Sequence, residues 1–126
     1  MKYNIVFFNK ERISVLDIEY VSHQVEYMLG KKPTTLLVLD KKRYEEFLAS
    51  EDEVDFILVD SLFYGENLVE DDYVHETRSR FPCAEIGSFS SRSFNKDLYD
   101  FVIHHTLYKE GMCDLAKRIV EKMKLE

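Results

Sequence analysis

Short, continuous apolar runs constrain the fold of this chain more than any other feature of its sequence. Five of them are spread along the chain, at residues 5–8, 36–39, 56–59, 84–89 and 101–103. The run at 84–89 is the weakest. Continuous runs, unlike alternating apolar and polar residues, are typical of strands that are covered on both faces, as in a parallel sheet. The sequence therefore predicts five strands of this kind.

Helical patterns lie between these runs. Asp40 is suited to cap a short helix that follows it. A less regular helix is predicted between residues 66 and 80. Gly30 is placed to end the first helix. Two stripes of apolar residues recur at helical spacing and are expected to face the core: Ile18, Val21, Val25 and Met28 in the first helix, and Met112, Leu115, Ile119 and Met123 in the last.

This alternation of strands and helices predicts an α/β fold. We expect a flavodoxin-like, doubly wound sheet of five parallel strands in a three-layer α-β-α arrangement. A chain of 126 residues is long enough for one domain with its own core. We assign this domain to residues 1–124 and interpret Leu125 and Glu126 as a remnant of a cloning vector. In such sheets, binding sites form outside the carboxyl ends of the strands.

The overall charge narrows the classes of partner. Seventeen basic and twenty-four acidic side chains give a formal charge of −7. A negative surface repels phosphate backbones and anionic lipids, so neither nucleic acid nor a membrane is expected as a partner. The chain has no apolar run of membrane-spanning length and no signal-peptide pattern. Cys83 and Cys113 fit no metal-ligand spacing, and two free thiols in the cytoplasm are expected.

Polar side chains follow four of the predicted strands. They are Asn9, Lys10 and Glu11 after the first strand, Asp60 after the third, Ser88 at the end of the fourth, and His104 after the last. A flavodoxin-like strand order would bring these side chains to one edge of the sheet. Asp60 has two interpretations at this point. It is either a reactive carboxylate, or a structural one that caps the following segment or pairs with Lys10.

The segment "VDFILVD" at residues 54–60 resembles the strand that delivers the phosphoacceptor aspartate in receiver domains of two-component response regulators. The resemblance extends over almost the whole chain. It implies transfer of a phosphoryl group from a kinase histidine to that aspartate, assisted by Mg²⁺, a hydroxyl and a lysine. By this resemblance Asp60 matches the acceptor and Ser88 the switch hydroxyl. His104 stands at the position of the lysine, and Phe101 matches the switch aromatic.

The chain also departs from that family. Asn9 and Lys10 replace an acidic pair, which leaves Glu11, together with Asp60, to bind Mg²⁺ weakly. Lys10 is suited to form a permanent ion pair with Asp60. The segment between the last two strands is too short for a full-length fourth helix. The resemblance is therefore to a degenerate receiver, or pseudo-receiver.

This resemblance implies signal transduction through contacts with a protein, either a kinase or a downstream effector, by a monomer or homodimer. Conventional phosphorylation is expected to be weakened or lost, no cofactor other than weakly bound Mg²⁺ is expected, and no enzymatic activity beyond self-phosphorylation at Asp60. Two alternatives stay open. One is a working, phosphoaccepting receiver, and the other is a small α/β enzyme or ligand-binding domain, because doubly wound folds host many functions.

Overall fold

The described part of the chain forms five strands and four helices. In a computed structural model, the residues described are 1–9, 15–60, 63, 70–90, 98–104 and 108–126, without the side chains of Glu70, Asp71 and Ser90. The strands are β1 (Lys2–Phe8), β2 (Thr35–Val38), β3 (Glu53–Asp60), β4 (Glu85–Ser90) and β5 (Phe101–His104). The helices are α1 (Val15–Leu29), α2 (Lys41–Ala49), α3 (Glu70–Arg80) and α4 (Tyr108–Lys124).

The strands form one sheet in the order β2-β1-β3-β4-β5, and all four neighbouring pairs are parallel. This is the flavodoxin-like order, so the predicted fold class is confirmed. The fourth helix that the sequence predicts to be shortened would lie between β4 and β5, where residues 91–97 are outside the described residues. No helix in the described part of the chain is long and apolar enough to cross a membrane.

The sheet separates two apolar cores, because successive side chains of each strand point to opposite faces. One core lies under α1 and α4 and contains Ile5, Phe7, Phe56, Leu58, Phe89 and Ile103 from the strands. The other lies under α2 and α3 and contains Val6, Phe8, Ile57, Val59 and Ile86. Burial on both faces explains why the strands read as continuous apolar runs.

Local signals set the ends of two helices. Asp40 caps α2, since its Oδ1 accepts a hydrogen bond of 2.8 Å from the Arg43 backbone N–H. Gly30 ends α1 with φ at 83°, a left-handed conformation that glycine adopts without strain. Met28 is less buried than its place in the apolar stripe predicts. The residue is 37% exposed, and the buried residues of α1 are Val21 and Val25.

Two predictions about cysteine and the last helix are confirmed. Cys83 and Cys113 are free thiols. Within α4 the predicted apolar stripe is buried, together with Ala116 and Val120. Beyond the end of α4, the Glu126 carboxylate forms an ion pair of 2.6 Å with the Lys2 ammonium group of β1.

Tyr44 fixes α2 against α3 beneath the second core. Its ring is almost fully buried, with edge contacts to Phe8 and Tyr73. Its hydroxyl lies 2.9 Å from Glu76 Oε1 and 3.1 Å from Thr77 Oγ1. Burial is the main cause that raises the pKa of this phenol. Burial likewise raises the pKa of Tyr108, whose hydroxyl donates to Asp17 of α1.

We expect Tyr44 and Tyr108 to stay protonated in the folded chain at pH values at which an unfolded tyrosine ionises. Because the folded pKa is raised, their contribution to stability is fully present below the unfolded pKa of about 10 and is lost as pH rises through the folded pKa. Tyrosinate absorbance should therefore show a late step that coincides with unfolding. Tyr44→Phe should reduce this step, and Tyr27→Phe, at an exposed position, should not. Ionisation of all eight tyrosines in one step would contradict this expectation.

Candidate functional site

Asp60 ends the central strand β3 and is fully buried. In the parallel register it lies opposite Phe89 of β4, and Phe89 lies opposite Ile103 of β5. Register partners in a parallel sheet point to the same face. Since Phe89 and Ile103 belong to the core under α1 and α4, the carboxylate of Asp60 points to that face, next to the apolar side chain of Phe89.

A backbone hydrogen bond links the end of β3 to Phe63. The Phe63 backbone N–H donates a hydrogen bond of 2.8 Å to the Asp60 carbonyl oxygen. The ring of Phe63 packs on Phe8, with 5.1 Å between ring centroids, and is thereby held over the opposite core. The next helix of the described chain begins at Glu70, and residues 61, 62 and 64–69 lie outside the described residues, so a capping role of Asp60 stays a prediction.

Asn9 is brought to the same edge as Asp60. Phe8, the last residue of β1, lies opposite Val59, and Asn9 follows it at the level of Asp60. The Asn9 backbone N–H donates to the Val38 carbonyl oxygen at 3.0 Å, which extends the sheet toward β2. Lys10 and Glu11 lie outside the described residues. The ion pair of Lys10 with Asp60 and the metal-ligand role of Glu11 therefore stay predictions.

Ser88 points to the opposite face of the sheet. It lies between Val59 of β3 and Val102 of β5 in the register, and both valines pack with the core under α2 and α3. Its side chain is 1% exposed, and its Oγ has no hydrogen-bond partner in the described chain. The register thus gives Phe89, rather than Ser88, the position beside Asp60. The switch role of Ser88 stays a prediction.

His104 and Phe101 occupy the two ends of the edge strand β5. His104 lies opposite Ser90, one residue beyond the level of Asp60. It is separated from Asp60 by β4, which amounts to about 10 Å across two strand spacings. Phe101 lies opposite Gly87 and packs with the core under α1 and α4. The aromatic ring and the Ser88 hydroxyl are therefore on different faces.

The contact between Phe101 and Gly87 is a feature that the sequence analysis missed. A Cβ atom on Gly87 would lie 2.1 Å from Phe101 Cε2, so the ring occupies the space that a side chain would need. The Arg118 guanidinium of α4 covers the ring at 5.3 Å and forms an ion pair of 3.1 Å with Glu85. A glycine inside a strand is the signal that indicates such a close approach.

The described donors at this edge do not fit a magnesium site. Mg²⁺ prefers several hard, anionic oxygen ligands in an octahedral arrangement. Asp60 supplies a carboxylate, but Asn9 supplies only a neutral amide, and Phe89 supplies no ligand. No group of three or more His, Cys, Asp or Glu residues that could hold a metal occurs in the described part of the chain.

Solved structures share this fold over nearly the whole chain. No protein-family model matches the sequence, and no curated protein matches it. A response regulator from Thermotoga maritima is similar with a TM-score of 0.60 and 19% identity, over 96% of this chain and 99% of that one. The complex of the P1 domain of CheA3 with CheY6 from R. sphaeroides contains a chain that is similar with a TM-score of 0.58 and 16% identity, over 95% of this chain and 97% of that one.

A part of a larger enzyme is also similar. The match to the lysine decarboxylase LdcF from Francisella novicida has a TM-score of 0.53 and 15% identity, and covers 96% of this chain but 17% of that one. At such identities a likeness concerns the fold and does not transfer a function. The chain thus has a receiver-like α/β fold.

The close approach of Phe101 to Gly87 predicts a coupled pair. We expect Gly87→Ala to destabilise the fold by about 1–3 kcal/mol, because the new methyl group overpacks against the ring. In a Phe101→Leu background the same change should cost much less. Urea unfolding of the two single variants and the double variant would measure the coupling. Additive effects would show that the ring does not limit Gly87.

The unpartnered hydroxyl of Ser88 predicts an unusual stabilising substitution. Ser88→Ala removes a buried polar atom without a hydrogen bond and should raise stability by about 1 kcal/mol. Ser50→Ala is the matched control, since its hydroxyl donates to the Phe47 carbonyl oxygen at 2.6 Å. That variant should lower stability by a similar amount. Equal destabilisation by both in urea unfolding would mean that the Ser88 hydroxyl has a partner.

Proposed function

We propose that this chain is a receiver-like signalling domain that acts by binding a protein and lacks conventional Mg²⁺-dependent phosphorylation. The observation that carries the proposal is the combination of a receiver-like fold with a buried carboxylate at the end of β3. By the resemblance Asp60 matches an acceptor, but its register neighbours are the neutral Asn9 on one side and the apolar Phe89 on the other. The fold is thus retained while the described surroundings are poor for phosphoryl transfer.

Phosphoryl transfer depends on positive charge that stabilises the transferring oxygens. The described side chains near Asp60 offer little of it, while Lys10 lies outside the described residues. Asn9 is neutral, Phe89 lies beside Asp60, and His104 stands two strands away. A carboxylate with no exposed surface is also closed to a donor in this conformation. We therefore propose no enzymatic activity, with slow self-phosphorylation at Asp60 as the upper bound.

The outer face of α4 supports a role in protein binding. Its exposed residues include five basic side chains, Lys109, Lys117, Arg118, Lys122 and Lys124, against three acidic ones, Glu110, Asp114 and Glu121. This face is therefore locally basic on a chain of formal charge −7. Opposite charge steers association and restricts the choice of partner. An acidic surface on a kinase or a downstream effector would fit it.

The cysteines bear on the cellular compartment in which the domain works. Two free thiols, Cys83 and Cys113, suit a reducing compartment and support the cytoplasm. The domain would act there as a monomer or homodimer. The solved complex of a P1 domain with CheY6 is a precedent for protein binding by a protein with a similar fold.

An amide NMR titration with Mg²⁺ and then beryllofluoride, a mimic of an aspartyl phosphate, tests the proposal. We expect the resonances of Asn9, Asp60 and Phe89 to be unmoved in the original chain. Asn9→Asp restores one carboxylate and should give Mg²⁺-dependent shifts that disappear in Asn9→Asp/Asp60→Asn. Shifts in the original chain that Asp60→Asn abolishes would instead establish a working receiver and overturn the proposal.

A further inference from the structure

A cleft lies at the amino ends of β3 and β4, at the opposite edge of the sheet from Asp60. Its volume is about 520 Å³, and all of its lining residues belong to the described chain. The walls include Val54, Asp55, Phe81, Pro82, Lys122 and Leu125. The carboxyl edge, where receiver-type chemistry would take place, contributes none of these residues.

Asp55 gives this cleft its chemical character. Its side chain is 7% exposed. Oδ1 forms an ion pair of 3.2 Å with the Lys2 ammonium group. Oδ2 is buried and has no hydrogen-bond partner in the described chain. Leaving a buried acceptor without a donor costs about 1–3 kcal/mol, and more when the acceptor is charged. A ligand that donates a hydrogen bond to Oδ2 would therefore remove an existing penalty.

The unpartnered oxygen belongs to a carboxylate, which favours a cationic donor. Four carboxylates line the cleft, Asp52, Glu53, Asp55 and Glu126, against three cationic side chains, Lys2, Arg80 and Lys122. The N-terminal ammonium group pairs with Asp52 at 3.1 Å, so the charges of the rim are balanced. Two of the cationic side chains are also engaged. Lys2 is shared between Asp55 and Glu126, and Arg80 donates to the carbonyl oxygens of Leu48 and Ser50.

Two helices also end at the rim, α3 at Arg80 and α4 at Lys124. The carboxyl ends of helices carry partial negative charge, which adds to the field that attracts a cation. The walls beside Asp55 are apolar at Val54, Phe81 and Ala84. They would cover a compact apolar body attached to the charged group.

We infer that this cleft binds a small organic cation, an ammonium group on a compact apolar body, which donates a hydrogen bond to Asp55 Oδ2. The site is separate from the carboxyl edge and does not rest on the proposed signalling function. It holds whether or not Asp60 can be phosphorylated.

An amide NMR titration of the full chain with benzylammonium tests this inference at neutral pH, with benzyl alcohol and benzoate as comparison probes. We expect saturable shifts at Val54, Asp55, Phe81 and Ala84 with benzylammonium. Benzyl alcohol, which has the same apolar body without the charge, should bind at least about tenfold more weakly. Equal binding of the alcohol, shifts confined to other regions, or no shifts at all would overturn the inference.

One variant and a matched control separate Asp55 from the general charge of the rim. Asp55→Asn should raise the Kd for benzylammonium at least about tenfold. Glu51→Gln removes one negative charge at an exposed position that does not line the cleft, and should alter the Kd less than about twofold. Equal weakening by both variants would indicate non-specific attraction and overturn the inference.

Cys83→Trp tests the same cleft without changing Asp55, so the test does not depend on the folding of Asp55→Asn. Cys83 is exposed and lines the cleft, so a large side chain there should fill the cavity without touching the core. We expect this variant to fold and to lose benzylammonium binding. Undiminished binding by the folded Cys83→Trp variant would place the ligand elsewhere and contradict the inference.

Discussion

The parallel register between β3 and β4 is the constraint on which the arrangement of the site depends. It sets Asp60 opposite Phe89 and Val59 opposite Ser88. Because side chains alternate between faces, a slip by one residue would exchange the two cores. The apolar residues on both faces of β3 therefore fix the register, and the register in turn fixes where the polar residues at the strand ends point.

A consequence is that the polar residues of the carboxyl edge are divided between two faces. Asp60 points toward α1 and α4, whereas Ser88 and His104 share the register positions that point toward α2 and α3. Phosphoryl transfer needs positioned, positively charged groups around the transferring phosphoryl group. The division of the described residues between two faces supports the scaffold role proposed above.

The fold could be predicted from the sequence because its signals are local. The apolar runs, the cap at Asp40 and the stop at Gly30 each depend on a few neighbouring residues. The site was less predictable, since the register that separates Ser88 from Asp60 depends on the pairing of distant strands. Met28 shows the same limit, because helical spacing alone does not tell how wide the buried face of α1 is.

The cleft at the amino edge illustrates why a carboxylate in an apolar run is informative only with its partners. Asp55 stands between Val54 and Phe56 in β3, yet Lys2 and Glu126, which surround it, come from the two ends of the chain. β3 carries Asp55 near one end and Asp60 at the other, and β1 and β4 hold it on both sides. Coupling between distant sites requires an element with two arrangements. A strand paired on both sides and packed on both faces is a poor candidate for such an element, so ligand binding at one edge should leave the other edge unchanged.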